Sequence, residues 1–95
     1  MEIEVRVHER VMKRYPELTE ADVVHAWRNA FVEQERCSEE ADKRIYLALG
    51  TDARGRVIEM IAFATDAQSL TVYHAKTPPT RPVLDGLGMG WKRWR

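Results

Sequence analysis

His74 and Lys76 stand two positions apart in the run Leu70-Thr71-Val72-Tyr73-His74-Ala75-Lys76, whose alternation predicts a β-strand. Side chains i and i+2 of a strand point to one side, so Leu70, Val72, His74 and Lys76 are expected to share a face. The first two are apolar and the last two titratable, so the row should leave the core and end at a sheet edge. An imidazole that titrates near neutrality beside a fixed cation suits proton transfer, and it fits cleavage of RNA by its own 2′-hydroxyl. The protein then positions the chain, moves protons and stabilises a dianionic phosphorane, with no metal or other cofactor required. In an antiparallel meander the second strand begins beside the end of the third. That arrangement is expected to bring Arg56 to His74 and Lys76 as the third catalytic group. Arg54 and Arg81 are candidate contacts to the RNA backbone, and Tyr73 is a candidate stacking platform for a base. The competing reading of the same residues is a hydrogen-bonded strand-end histidine and a solvated lysine.

Other chemistries find less support. Gly86-Leu87-Gly88-Met89-Gly90 lacks the Lys-Ser/Thr of a phosphate-cradling loop and does not join a strand to a helix. His8, His25 and His74 share no local spacing and have no evident carboxylate co-ligands, so no metal site is expected. Ser38 in an acidic loop and Ser69 in a turn give no nucleophile–base arrangement. Trp91-Lys92-Arg93-Trp94-Arg95 interleaves two indoles with three cations, a composition suited to nucleic acid or to an acidic partner.

The elements that must position these groups can be read from periodicity. Glu2 to Val7 alternates with period two and suits a short edge strand or extended entry. Val7 and Val11, then His8, Met12 and Tyr15, fall at helical intervals that end by Pro16. Thr19 is a candidate N-cap with Asp22 standing in for the Glu of a capping box. Val23, Val24, Trp27, Ala30 and Phe31 continue that helix as an apolar stripe, which makes Trp27 a core residue. A weaker strand is expected over Phe31 to Arg36, followed by three clear ones over residues 43–50, 56–65 and 70–76. The turn at Thr51-Asp52-Ala53-Arg54-Gly55 uses Gly55 for a positive φ. The expected architecture is α+β, with two N-terminal helices on one face of a three- to four-stranded antiparallel sheet. The domain is drawn at residues 1–77, and residues 78–95 are expected to form an irregular Pro/Gly-rich basic tail.

Ninety-five residues allow one small domain, and an apolar fraction of 44 % with 32 % charged residues is a globular composition. No apolar run is long enough to span a membrane, and no secretory signal is visible at the start of the sequence. The single Cys37 cannot form an internal disulfide, so a reduced, cytoplasmic setting is expected. Zero net charge conceals a division: residues 1–42 carry six bases against eleven acids, and residues 43–95 carry nine bases against four acids. Charge segregated in this way predicts an acidic and a basic surface.

His8-Glu9-Arg10-Val11-Met12-Lys13-Arg14, Leu18-Thr19-Glu20-Ala21-Asp22-Val23 and Ala30-Phe31 resemble the opening of small bacterial BrnT-like toxins. Ile45 to Gly50, Gly55 to Ile61 and Val72 to Lys76 are similar to the core of that group, so the likeness covers about residues 5–77. The resemblance implies a RelE-like two-layer fold and an RNA-cleaving toxin, acting on RNA such as ribosome-associated mRNA and neutralised by a cognate antitoxin protein. Arg56 and Lys76 fall on the family's basic positions, and His74 falls where serine or histidine is frequent. Tyr15-Pro16-Glu17 replaces a short glycine turn, and the proline-rich tail replaces a basic C-terminal helix. Two further readings compete: a non-catalytic protein-binding module of the same fold, and a DNA-binding subunit suggested by the basic second half.

Overall fold

The computed structural model describes residues 3–36, 43–64 and 66–80. The chain runs β1 (Glu4–Val7), α1 (Glu9–Arg14), α2 (Glu20–Arg28), β2 (Ala30–Arg36), β3 (Arg44–Thr51), β4 (Val57–Ala64) and β5 (Ser69–Lys76). The strands form one five-stranded sheet in the order β1-β5-β4-β3-β2. This is an α+β chain, but its sheet is larger than expected and is mixed. β2 to β5 pair antiparallel, whereas β1 lies parallel to β5, with Glu4 opposite Ser69 and Val7 opposite Val72. A sequence shows the alternation of β1 but not its partner, which lies more than sixty residues away.

Both helices are set by local chemistry. His8, expected within the first helix, instead caps it, and its Nδ1 accepts from the Arg10 N–H at 3.1 Å. At α2 the capping box forms: Thr19 Oγ1 accepts from Asp22 N at 3.1 Å, and Asp22 Oδ2 accepts from Thr19 N at 3.0 Å. α2 then lies directly on β3. A Cβ built on Gly50 would stand 1.9 Å from the Ala26 carbonyl oxygen, so no larger residue fits there without moving the helix.

Val11 of α1 and Val23, Ala26 and Trp27 of α2 form one buried cluster with Ala48, Ile58, Met60, Ala62, Leu70, Val72 and Ala75 of the sheet. Sealing Ile58, Met60 and Val72 entirely from water stabilises the fold by about 1.5–3 kcal/mol each. The opposite face of the sheet also buries residues: Leu47, Leu49 and Glu59 are 5 %, 0 % and 2 % exposed. After β5 the chain stays against the sheet, with Thr77 Oγ1 donating to the Val57 carbonyl at 2.7 Å. The rest of the expected tail, including Arg81 and the Trp91–Arg95 cluster, lies outside the described residues.

The face shared by Leu70, Val72, His74 and Lys76 does not exist. Ile61 pairs with His74 and Ala62 pairs with Val72, so Tyr73 is an extra residue on β5 and forms a β-bulge. One inserted residue inverts the alternation. Leu70, Val72 and then Ala75 point into the core with the helices, whereas His74 and Lys76 lie across from Ile61 and Glu59 on the other face.

Candidate active site

Glu59 sits in the middle of β4, with 3 % of its side chain exposed. Its Oε2 meets His74 Nε2 at 2.7 Å, and its Oε1 accepts from the Thr80 backbone N–H at 2.5 Å. Burial opposes charge on this carboxyl, but the bonds from His74 and Thr80 outweigh it and hold the group below its ordinary range. An ionised carboxylate has no proton to give, so the bond places hydrogen on Nε2 and leaves Nδ1 as the basic nitrogen. The imidazole is 28 % exposed. It is therefore anchored at one nitrogen while part of the ring still reaches solvent.

Lys76 pairs with Glu59 across the strands, on the same face as His74, and its Nζ donates to the Pro78 carbonyl at 3.1 Å. Beyond Val72, β1 has ended and α1 takes its place beside β5; the His8 N–H donates to the Val72 carbonyl at 2.8 Å. A small crease between α1 and β5 is lined by Arg10, Arg14, Tyr15, Tyr73 and His74. Arg10 and Arg14 are one helical turn apart, so both project along the side of α1 that meets this crease. The Arg14 guanidinium lies 5.8 Å from the centre of the Tyr15 ring, and Tyr73 packs against Phe63 at 5.7 Å between ring centres.

Arg56 is not part of this group. Its Nε donates to Asp52 Oδ2 at 2.7 Å, and one terminal nitrogen reaches Asp22 Oδ2 at 3.3 Å. Asp22 belongs to α2, so the guanidinium lies on the helix side of the sheet, away from the His74 face. The meander does bring the start of β4 near the end of β5, as expected, but side-chain parity sends Arg56 to the opposite surface. Arg54 also departs from a free RNA contact: its guanidinium reaches the same Asp22 oxygen at 3.5 Å. Asp52 completes the cradle by accepting from the backbone N–H groups of Arg54 and Arg56, both at 2.9 Å. Its side chain is fully buried, and these bonds outweigh the desolvation that would raise its pKa. Asp22 is lowered chiefly by the backbone bond from Thr19, with Arg54 and Arg56 adding their charge.

Sequence reasoning therefore singled out His74, Lys76 and Tyr73 on or beside one crease and missed Glu59, Arg10 and Arg14. Glu59 had a signal of its own. It is a lone carboxylate in Val57-Ile58-Glu59-Met60-Ile61-Ala62-Phe63, and a charge carried into so apolar a strand requires a partner. The two arginines had none, because a basic helix surface is ordinarily solvated. Among the described residues no group of three or more His, Cys, Asp or Glu side chains is placed to hold a metal, and no helix is long and apolar enough to cross a membrane. Comparison with known protein families, with curated proteins and with solved structures found no match to this chain.

Proposed function

We propose that this chain is a RelE-like, BrnT-like toxin that cleaves RNA through its 2′-hydroxyl, with His74 as the proton-transfer group. The observation that carries this reading is the His74–Glu59 pair, a partly exposed imidazole oriented by a buried carboxylate at 2.7 Å. The 2′ oxygen bonds to phosphorus as its proton passes to His74 Nδ1. The P–O5′ bond then breaks, and the 5′ oxygen takes a proton from solvent to leave a cyclic phosphate and a 5′-hydroxyl. Lys76 is the cation on the His74 face that stabilises the phosphorane, and Arg10 and Arg14 hold the backbone along α1 with Tyr73 beside them. Arg56 acts on the fold instead, because its charge is spent on Asp22 and Asp52, and Arg54 rests 3.5 Å from the same Asp22 oxygen. A cognate antitoxin is the protein partner in this reading, and the setting is the cytoplasm.

The test is cleavage of end-labelled single-stranded RNA by the purified chain, together with growth of bacteria expressing it alone. Wild type should leave cyclic-phosphate ends and arrest growth, and His74→Gln should lower cleavage by at least about a hundredfold, as loss of a general base does. A fully active His74→Gln would remove the imidazole from the chemistry.

A second reading is supported by the cradle around Arg56. With Arg56, expected as a catalytic group, held between two carboxylates, the same fold serves as a non-catalytic protein-binding module. Harmless high-level expression with no cleavage of any RNA is the outcome it requires.

A further inference from the structure

β2 is an outermost strand of the sheet, and among the described residues nothing pairs with its free edge. An open edge exposes backbone donors and acceptors that another strand can use. The edge has a definite character. Glu33 and Glu35 lie opposite Ala48 and Tyr46, so both point to the helix side of the sheet, and both are exposed. Glu33 also lines a groove of about 580 Å³ that crosses the sheet beside α2, over Tyr46 and Leu70, with Ile3 and Trp27 along it. Asp66 lies on the same lining with a lowered pKa, held chiefly by the Gln68 and Ser69 N–H groups, and so retains its charge; Arg44 is the cation there. At the start of the strand the register slips between Ala30 and Val32, and Phe31, in that bulge, is 48 % exposed.

We infer that the β2 edge is a docking site for an extended, basic segment of a partner protein, which adds to the sheet as a sixth strand. Two carboxylates at i and i+2 on one face match cations at i and i+2 on an incoming strand, and the aliphatic stems of those cations have the Tyr46 side of the groove to cover. Phe31 supplies an apolar contact at one end. A second copy of this chain is a poor occupant. Antiparallel self-pairing centred on Glu33 sets Glu33 against Glu33, and pairing centred on Gln34 sets Glu33 against Glu35 twice. Charge on an edge strand both discourages self-association and selects a complementary strand. The inference holds whether or not His74 cleaves RNA.

The full chain can be titrated with a blocked seven-residue peptide, Arg-Thr-Arg-Val-Arg-Thr-Arg, followed by fluorescence anisotropy and amide exchange. Two controls are a glutamate version and a scramble that breaks the alternation. Tighter binding of the alternating basic peptide than of either control, with slowed exchange in β2, supports the inference. The double variant Glu33→Lys, Glu35→Lys should bind that peptide about tenfold or more weakly and turn its preference to the glutamate version. Both positions are exposed, so the fold should survive, and thermal melting checks this. Equal binding of the alternating and scrambled basic peptides, protection confined to β1, no binding at millimolar peptide, or a dimer held through β2 would each overturn it.

Discussion

Two regions of this molecule answer the same electrostatic problem differently. At the β3–β4 turn a guanidinium lies between Asp52, whose side chain is fully buried, and Asp22, whose side chain is 13 % exposed. On the other face a buried carboxylate holds a single imidazole nitrogen. In the first region the basic group is consumed: Arg56 contacts two carboxylates and stands near the Glu17 carbonyl, and it ties the start of α2 to the sheet. In the second, one ring nitrogen is fixed and the other has no hydrogen-bond partner among the described residues. A saturated cation stabilises the fold, and a half-satisfied base retains capacity for chemistry. Both regions contain a basic residue near a strand end, and the count of its acceptors is what separates them.

The contrast is tested most severely at Asp52. Asp52→Ala removes acceptors for two backbone N–H groups and the closer partner of Arg56, so unfolding free energy should fall by about 3–5 kcal/mol in urea denaturation. A loss below about 1 kcal/mol would mean that the cradle is ornamental and that Arg56 is free to act elsewhere. Glu59→Gln probes the other region with a smaller structural effect, about 1–2 kcal/mol, because the amide keeps one oxygen as acceptor and loses the other. Its sharper readout is cleavage of RNA, which should fall as the ring loses the carboxylate that orients it. Unchanged cleavage would separate Glu59 from the work of the imidazole.

Acid gives the smallest effect per group and a fixed sign. Asp22, Asp52 and Glu59 all titrate below their ordinary values of 3.8, 3.8 and 4.5 in the folded chain. The unfolded chain therefore takes up protons first as pH falls. The stability these groups contribute is complete above the ordinary values and is lost progressively as pH descends through the lowered ones. Urea midpoints measured from pH 6 downward should fall, and Asp22→Asn should flatten part of that slope. A slope unchanged in Asp22→Asn would show that its bonds to Thr19 and the arginines carry no net linkage.

Much of this arrangement was legible in advance, and the limits of legibility have physical causes. The Thr19–Asp22 capping box and the Gly55 turn, with its φ of 82°, are encoded within four or five residues and could be read directly. Of the three long strands, β3 and β5 follow from alternation and β4 from its long apolar run. The bulge at Tyr73 could not be found the same way, because an extra residue is defined only against the strand beside it. The acceptors of Arg56 lie four and thirty-four residues away, and composition does not reveal which of fifteen acids will be neighbours. The parallel partnership of β1 with β5 is equally non-local. His74 and Lys76 were correctly grouped with each other but assigned to the wrong row, since counting by two assumes an uninterrupted ladder.

That interruption decides which way the ionisable end of the strand faces. Were the backbone at Tyr73 ironed into an unbroken ladder with every residue kept, everything downstream would rotate by half a repeat, delivering an imidazole and an ammonium to the oily interior and turning Ala75 outward. Losing Tyr73 itself would leave Val72 opposite Ala62 and His74 opposite Ile61, so at this point in the chain a lost codon is a gentler event than a straightened strand. The bend, more than the identity of Tyr73, keeps the ionisable end of the strand in contact with water.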